Sequence, residues 1–190
     1  MSTAPPSALE LLERALGYTR VQLADVRPDM LDQPTPCAGW DLRRLLAHME
    51  DALDAFTEAA TGQVSIIPTP PSNRVEALLE KACALLGVWA GGGPVSVAID
   101  DRELDTERLI SAAALEITVH GWDVSQATGR RAAIPGSLAL ALYDVARILV
   151  APADRDGHFA WPRPIPPDAP SDAHLLCFLG REIPDQLGAA

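Results

Sequence analysis

The residues best placed for chemistry in this chain are a carboxylate and an imidazole, Glu116 and His120, in an otherwise apolar segment. Their spacing is slightly more than one turn of an α-helix, so the two side chains share a face. An ionisable pair in an apolar stripe is expensive to bury unless something satisfies it. A divalent metal ion would do so, and these donors suit zinc, and also nickel, iron or manganese. We therefore predict that Glu116 and His120 are metal ligands.

A third ligand is needed, and His48 on an earlier predicted helix is the best candidate. This choice is made by elimination, because His158 and His174 lie in a proline-rich tail and near the last helix, where surface or packing roles are more typical. An exposed helix-surface pair is the alternative for Glu116 and His120. Two histidines and one carboxylate with an open coordination position are typical of catalytic metal sites.

Three further side chains stand close to these ligands in the sequence. Asp123 follows His120 by three residues and could orient it as a hydrogen-bond partner, or could be a solvent-facing charge. The same two interpretations apply to Asp51, which follows His48 by three residues. Cys37 precedes the second predicted helix and is interpreted as a small packing thiol that could also approach the site.

The elements that must position these residues are helices. Apolar residues recur at helical spacing, with capping residues and prolines at the boundaries, and predict helices over about 7–26, 40–61, 72–89, 105–129, 135–150 and 171–179. The segment Val95–Ile99 alternates, but it has no evident partner strand and is expected to pack as an irregular crossover. We predict an all-α protein: a four-helix bundle with a long crossover, an extra helix and a proline-rich tail over residues 151–190. Residues 1–190 are expected to form a single domain with a core at about 7–150.

Composition narrows the classes of partner. A formal net charge of −11 argues against binding to nucleic acid or to anionic membranes. The sequence contains neither a long apolar run nor a signal-peptide pattern, so we expect a cytoplasmic protein that acts on a small-molecule substrate. Three cysteines without close spacing predict reduced thiols. The sequence is also compatible with a homodimer.

Together, several short motifs resemble the DinB-like superfamily and, more narrowly, the metal-binding domain of the mycothiol-dependent maleylpyruvate isomerase family. The similarity spans most of the chain. The residues that carry it are Thr35-Pro36-Cys37-Ala38-Gly39-Trp40-Asp41, Leu45-Leu46-Ala47-His48, Glu116 with His120-Gly121-Trp122-Asp123, Ala127-Thr128-Gly129 and Phe178-Leu179-Gly180-Arg181.

The resemblance implies a DinB-like four-helix bundle with one divalent metal, usually zinc, held by His48, Glu116 and His120. Enzymes of this family use the metal to activate a low-molecular-weight thiol such as mycothiol for transfer or isomerisation. The isomerase it resembles carries a further C-terminal domain that contributes to its active site, where this sequence has a proline-rich tail. The resemblance therefore supports the metal site without implying maleylpyruvate as the substrate.

Three functions are compatible with these residues. The first is a metal-dependent thiol transferase or isomerase-like enzyme. The second is a hydrolase using metal-bound water, with Asp123 or Asp51 as a base. The third is a metal-binding bundle without catalytic activity, in which Cys37 could close the fourth coordination position.

Overall fold

A computed structural model of the protein describes residues 5–61, 74–92, 96–99, 102–152, 155 and 159–183. The chain forms two compact units, the first ending at Ala132 and the second beginning at Ala133. The described elements are helices α1 (Ala8–Leu23), α2 (Leu42–Thr61), α3 (Arg74–Ala90), α4 (Thr106–Ala127), α5 (Gly136–Leu149) and α6 (Ser171–Phe178), a 3-10 turn (Pro28–Met30), and strands β1 (Ser96–Ile99) and β2 (Arg102–Asp105). The predicted mostly helical fold is confirmed.

Local capping explains where two of the long helices begin. The Ser7 hydroxyl accepts a hydrogen bond from the Glu10 amide at 3.2 Å, which satisfies one of the unpaired N–H groups at the start of α1. At the start of α4 the Asp105 carboxylate accepts from the Glu107 amide at 3.1 Å. Both starts were predicted from the sequence. The predicted start of the third helix at Ser72 or Asn73 lies outside the described residues.

The crossover between α3 and α4 contains a β-hairpin. Strands β1 and β2 pair antiparallel, with Ser96 opposite Asp105 and Ile99 opposite Arg102. The expectation of an irregular crossover was wrong here. The second strand reads Arg102-Glu103-Leu104-Asp105, which lacks the β-branched and aromatic residues by which a strand is usually predicted.

In the first unit α1 packs most extensively on α4, and α2 on α3. The contact between α1 and α4 is close because Gly121 faces Thr19 without a side chain between them. The Thr19 hydroxyl donates a hydrogen bond to the Ile117 carbonyl at 2.8 Å. This contact fixes how closely the part of α4 that carries Glu116 and His120 packs against α1.

An ion network joins α2 to α3. Glu50 is almost fully buried and accepts from Arg74 at 2.9 Å, and it also pairs with Lys81 at 3.1 Å. Lys81 reaches Asp54 as well, at 2.5 Å. Burial opposes the charge of Lys81, but its two carboxylate partners raise its pKa. Because the network crosses between the helices, it holds α3 against the helix that carries His48.

Glu50→Gln should destabilise the first unit by about 2–3 kcal/mol, because it leaves two cations without the buried carboxylate between them. This is less than the usual effect of about 3–5 kcal/mol for a buried ion pair, since the Arg74 and Lys81 side chains are about one-fifth exposed. Urea unfolding measures the loss. The matched control is Asp51→Asn, an exposed carboxylate on the same helix, which should change stability by less than about 0.5 kcal/mol. Equal effects of the two changes would contradict a role for the network.

The second unit is built from α5, α6 and the proline-rich segment. The buried guanidinium of Arg155 donates to the Ala160 carbonyl at 2.9 Å and to the Phe178 carbonyl at 3.1 Å. It also lies 4.7 Å from the centre of the Phe178 ring. Arg155 thereby joins the segment to the end of α6. No described helix in either unit is long and apolar enough to cross a membrane.

Candidate metal centre

Two helices of the first unit contribute the predicted ligands. His48 lies on α2, and Glu116 and His120 lie one turn apart on α4. The structure brings all three together: the His48 Nε2–H donates to Glu116 Oε1 at 2.7 Å, and His120 Nε2 lies 3.0 Å from the same oxygen. The two imidazole rings are nearly perpendicular, with centres 5.0 Å apart. Two nitrogens and a carboxylate oxygen therefore converge on one point.

Asp123 orients one of these imidazoles. Its carboxylate is fully buried and accepts a hydrogen bond from His120 Nδ1 at 2.9 Å. Since Nδ1 is held in this way, Nε2 is directed at Glu116. Of the two interpretations made from the sequence, the structure shows the orienting contact. A carboxylate behind a histidine is the usual outer partner of a metal ligand.

Cys37 reaches the same carboxylate from the loop before α2. Its thiol donates to Asp123 Oδ2 at 3.2 Å and lies 3.8 Å from His120 Nδ1. The loop is fixed by the Thr35 hydroxyl, which donates to the Trp40 carbonyl at 2.9 Å, and by Gly39 in a left-handed conformation with φ of 75°. Cys37 therefore stands on the Nδ1 side of His120, away from the edge that faces Glu116.

Trp40 forms a wall beside His48. The two ring centres lie 5.0 Å apart in an edge-to-face arrangement, and the Arg44 guanidinium covers the indole at 4.8 Å. Arg44 is also the residue whose amide donates to the Asp41 carboxylate at 2.8 Å, near the start of α2. The loop and the first turn of α2 thus fix the position of the His48 ring.

The remaining candidates lie elsewhere. Asp51 is exposed on α2. His174 belongs to α6 of the second unit, where its ring centre lies 6.1 Å from that of Tyr143. His158 lies outside the described residues.

The site is strongly polarised. Burial would raise the pKa of Glu116, but hydrogen bonds from His120 and His48 outweigh it and hold this pKa well below its usual range. Burial would likewise lower the pKa of His120, whereas its contacts with Asp123, Cys37 and Glu116 raise it well above that of free imidazole. Without a metal, His120 is therefore a cation between two carboxylates, and a metal must displace its Nε2 proton.

This charge state predicts that the stability advantage of the zinc-loaded protein over the metal-free protein grows as the pH rises. A raised His120 pKa stabilises the metal-free fold fully below the unfolded value of about 6.5, and this contribution is lost as the pH rises through the folded value. A metal competes with the same proton, so its affinity rises over that range. Thermal unfolding from pH 6 to 9 should show the metal-free protein losing stability while zinc-loaded protein gains stability relative to it. A parallel course of the two curves would contradict the assigned charge state.

The donors fit a divalent cation. The His48, Glu116 and His120 ligand atoms lie within 4.8 Å of one another, a span that includes the separation of about 3.4 Å between ligand atoms around tetrahedral zinc. Cys37, His120 and Asp123 form a second group of such atoms, which shares His120 with the first. The first group uses Nε2, the nitrogen that Asp123 does not occupy, and it is therefore the better candidate.

A pocket of about 790 Å³ reaches this site between the helices of the first unit. Glu116, Ile117 and His120 form part of its wall, and α1, α2 and α3 supply the other lining residues that the structure describes. Its volume is that of a small-molecule site. The sequence does not predict this pocket. Its leucines follow the helical pattern of core residues, and that pattern does not separate a pocket wall from a packed core.

Comparisons with known proteins agree with the sequence motifs. Residues 12–125 match the family model of the mycothiol maleylpyruvate isomerase N-terminal domain. Two uncharacterized proteins from two strains of Mycobacterium tuberculosis are each 29% identical over 175 residues, which cover 90% of this chain and 96% of the relative. No solved structure gives a significant match. The matched residues include all three candidate ligands, and the chain belongs to the mycothiol maleylpyruvate isomerase N-terminal domain family, a DinB-like family.

Proposed function

We propose that this protein is a metal-dependent enzyme that activates a low-molecular-weight thiol for transfer to an electrophile. His48, Glu116 and His120 hold one divalent ion, with zinc as the best fit to two imidazoles and a carboxylate, and nickel, iron or manganese as alternatives. The observation that carries the proposal is the convergence of two imidazole nitrogens on Glu116 Oε1 at the wall of a small-molecule pocket. The family name makes mycothiol the first thiol to test.

The chemistry supplied by a divalent ion here is a lowered thiol pKa, which provides thiolate at neutral pH. The protein's own residues prepare the site for it. Asp123 fixes the His120 tautomer through Nδ1. Glu116 supplies a negative charge at the point where both histidines meet. The apolar walls of the pocket reduce access of water to the reacting sulfur.

Thiol transfer to 1-chloro-2,4-dinitrobenzene tests the proposal. The sulfur forms a bond to the ring carbon, chloride leaves with the electron pair of its bond, and the thiol proton passes to the solvent. Zinc-loaded protein should exceed the uncatalysed rate with mycothiol or a simpler thiol. Metal-stripped protein should not, and returning the metal should restore the rate. Equal rates for the loaded and stripped forms, across a panel of thiols and electrophiles, would refute the proposal.

The two alternatives predict different results. A hydrolase would turn over esters or amides without any thiol, and its candidate bases are Asp51, which is exposed, and Asp123, which lies on the Nδ1 side of His120. A bundle without catalytic activity would have a closed coordination sphere. The position of Cys37 argues against its closing the coordination sphere, because its sulfur contacts Asp123 rather than the Nε2 edge of His120.

A further inference from the structure

The pocket beside the proposed metal site has a mainly apolar wall. Each of the four helices of the first unit contributes to it, and the aliphatic residues include Leu16, Leu23, Met49, Leu53, Leu79 and Leu86. Several of them, such as Leu16, Leu79 and Leu86, are only half-buried, unlike the core residues Leu78 and Leu85. An apolar ligand would remove this remaining surface from water, which is the main source of affinity in such pockets.

The charged residues of the wall are mostly acidic. Glu13, Glu76 and Glu80 line the pocket away from the proposed metal site and are exposed. Arg20 is the only lysine or arginine among the lining residues that the structure describes. The whole chain carries a net charge of −11. Beyond the divalent ion, whose charge Glu116 partly neutralises, a dianion that fills the pocket would lie among these three carboxylates with one exposed guanidinium to offset them.

We propose that this pocket selects an apolar, uncharged electrophile and rejects dicarboxylates, the class to which maleylpyruvate belongs. The inference rests on the proposed function for its chemistry, since the electrophile is the second substrate of the thiol transfer. The predicted specificity of the pocket follows from the lining residues alone. The co-substrate carries an aliphatic or aromatic body that fills the space between α1 and α3, and its reactive carbon lies at the Glu116 and His120 end.

A homologous ligand series tests the specificity directly. Linear 1-alkanols from butanol to octanol are titrated into zinc-loaded, full-length protein by calorimetry or ligand-observed NMR. Each added CH₂ should tighten binding about three- to fourfold until the pocket is filled, whereas maleate and fumarate should not bind measurably. Binding of maleate more tightly than octanol, or alkanol affinities that do not depend on chain length, would overturn the proposal.

Two variants locate the binding. Gly17 lines the pocket on α1, and a Cβ built there meets no atom within 4 Å, so Gly17→Trp can add a side chain at the wall. Leu79→Glu places a carboxylate on the half-buried α3 wall. Each should weaken octanol binding about tenfold or more, on the scale of the removed CH₂ contacts, while zinc content stays unchanged. The matched control is Gly87→Trp, at an exposed α3 glycine that is equally open but is not a lining residue. Unchanged octanol affinity in both pocket variants would place the alkanols elsewhere and overturn the proposal.

The two proposals can fail separately. If octanol binds as stated but loaded protein transfers no thiol to any electrophile, the thiol-transferase function fails and the specificity of the pocket is supported. If thiol transfer is found and octanol does not inhibit it competitively with the electrophile, the specificity proposal alone fails. Competitive inhibition by octanol, together with a kcat/KM that rises with the aliphatic length of a neutral electrophile, supports both.

Discussion

His120→Ala should eliminate stoichiometric binding of a divalent ion while leaving the helical fold in place. His120 is one of the three proposed donors, and its Nε2 lies 3.0 Å from Glu116 Oε1. Its removal leaves only His48 and Glu116, which hydrogen-bond to each other at 2.7 Å. Two donors are too few to hold the ion against dialysis. Elemental analysis after dialysis against zinc measures the effect, with circular dichroism to confirm the fold.

A graded series sharpens this test. Asp123→Asn keeps all three donors but weakens the contact that orients His120, so metal affinity should fall about 10–100-fold rather than vanish. His174→Ala removes a histidine of the second unit and should leave the metal content unchanged. Full retention of zinc in His120→Ala would refute the ligand assignment. Equal losses in His120→Ala and His174→Ala would show that bound zinc reports general histidine binding.

The sequence predicted part of this site because helical periodicity is a local property. The spacing of Glu116, His120 and Asp123 places them on adjoining parts of one helix surface before any tertiary contact is known. The meeting of His48 with Glu116 spans 68 positions and depends on how α2 packs against α4. Elimination among four histidines identified His48, but no pattern in the sequence specified that contact.

Burial explains why the roles of Asp123 and Cys37 stayed open. An aspartate near the end of a helix is most often solvated, and a lone cysteine is most often a packing residue. The structure buries Asp123 completely and places the Cys37 thiol 3.2 Å from its carboxylate. The position of Cys37 depends on the loop before α2, which contains the bond from Thr35 to the Trp40 carbonyl and the left-handed Gly39. Sequence spacing carries no information about where this loop places the thiol.

The pocket was missed for a related reason. Leu78, Leu79, Leu85 and Leu86 form two adjacent pairs seven positions apart on α3, a spacing typical of core residues. In the structure Leu78 and Leu85 are fully buried. Leu79 and Leu86 are only half-buried, and both line the pocket together with the buried Leu78. A helix can present a wider apolar face than its neighbours cover, and the uncovered part is then available to a ligand. Periodicity predicts which face of the helix is apolar, but it does not predict whether another helix or a ligand covers that face.

Gly121→Ala is expected to destabilise the first unit by about 1–3 kcal/mol, although alanine is intrinsically the better helix former by about 1 kcal/mol. A Cβ at position 121 would overlap the Thr19 hydroxyl and would lie 3.0 Å from Thr19 Cβ and 3.2 Å from Thr19 Cα. Rotation of the Thr19 side chain could move its hydroxyl, at the loss of its bond to Ile117, but it cannot relieve the contacts with Cβ and Cα. α1 would have to move away from α4, which would weaken the bond from Thr19 to Ile117. Chemical denaturation measures the loss of stability.

Gly17→Ala is the matched control, because Gly17 lies in α1 where an added Cβ meets no atom within 4 Å. There the helix preference acts alone, and the variant should be more stable by up to about 1 kcal/mol. The double change Thr19→Ala with Gly121→Ala should recover part of the loss, since it removes the hydroxyl from the overlap and leaves the Cβ contact. Because residue 121 follows His120 directly, displacement of this turn should also lower zinc affinity in Gly121→Ala and leave it unchanged in Gly17→Ala. A stabilised Gly121→Ala protein with full zinc affinity would show that close contact between α1 and α4 does not position the site.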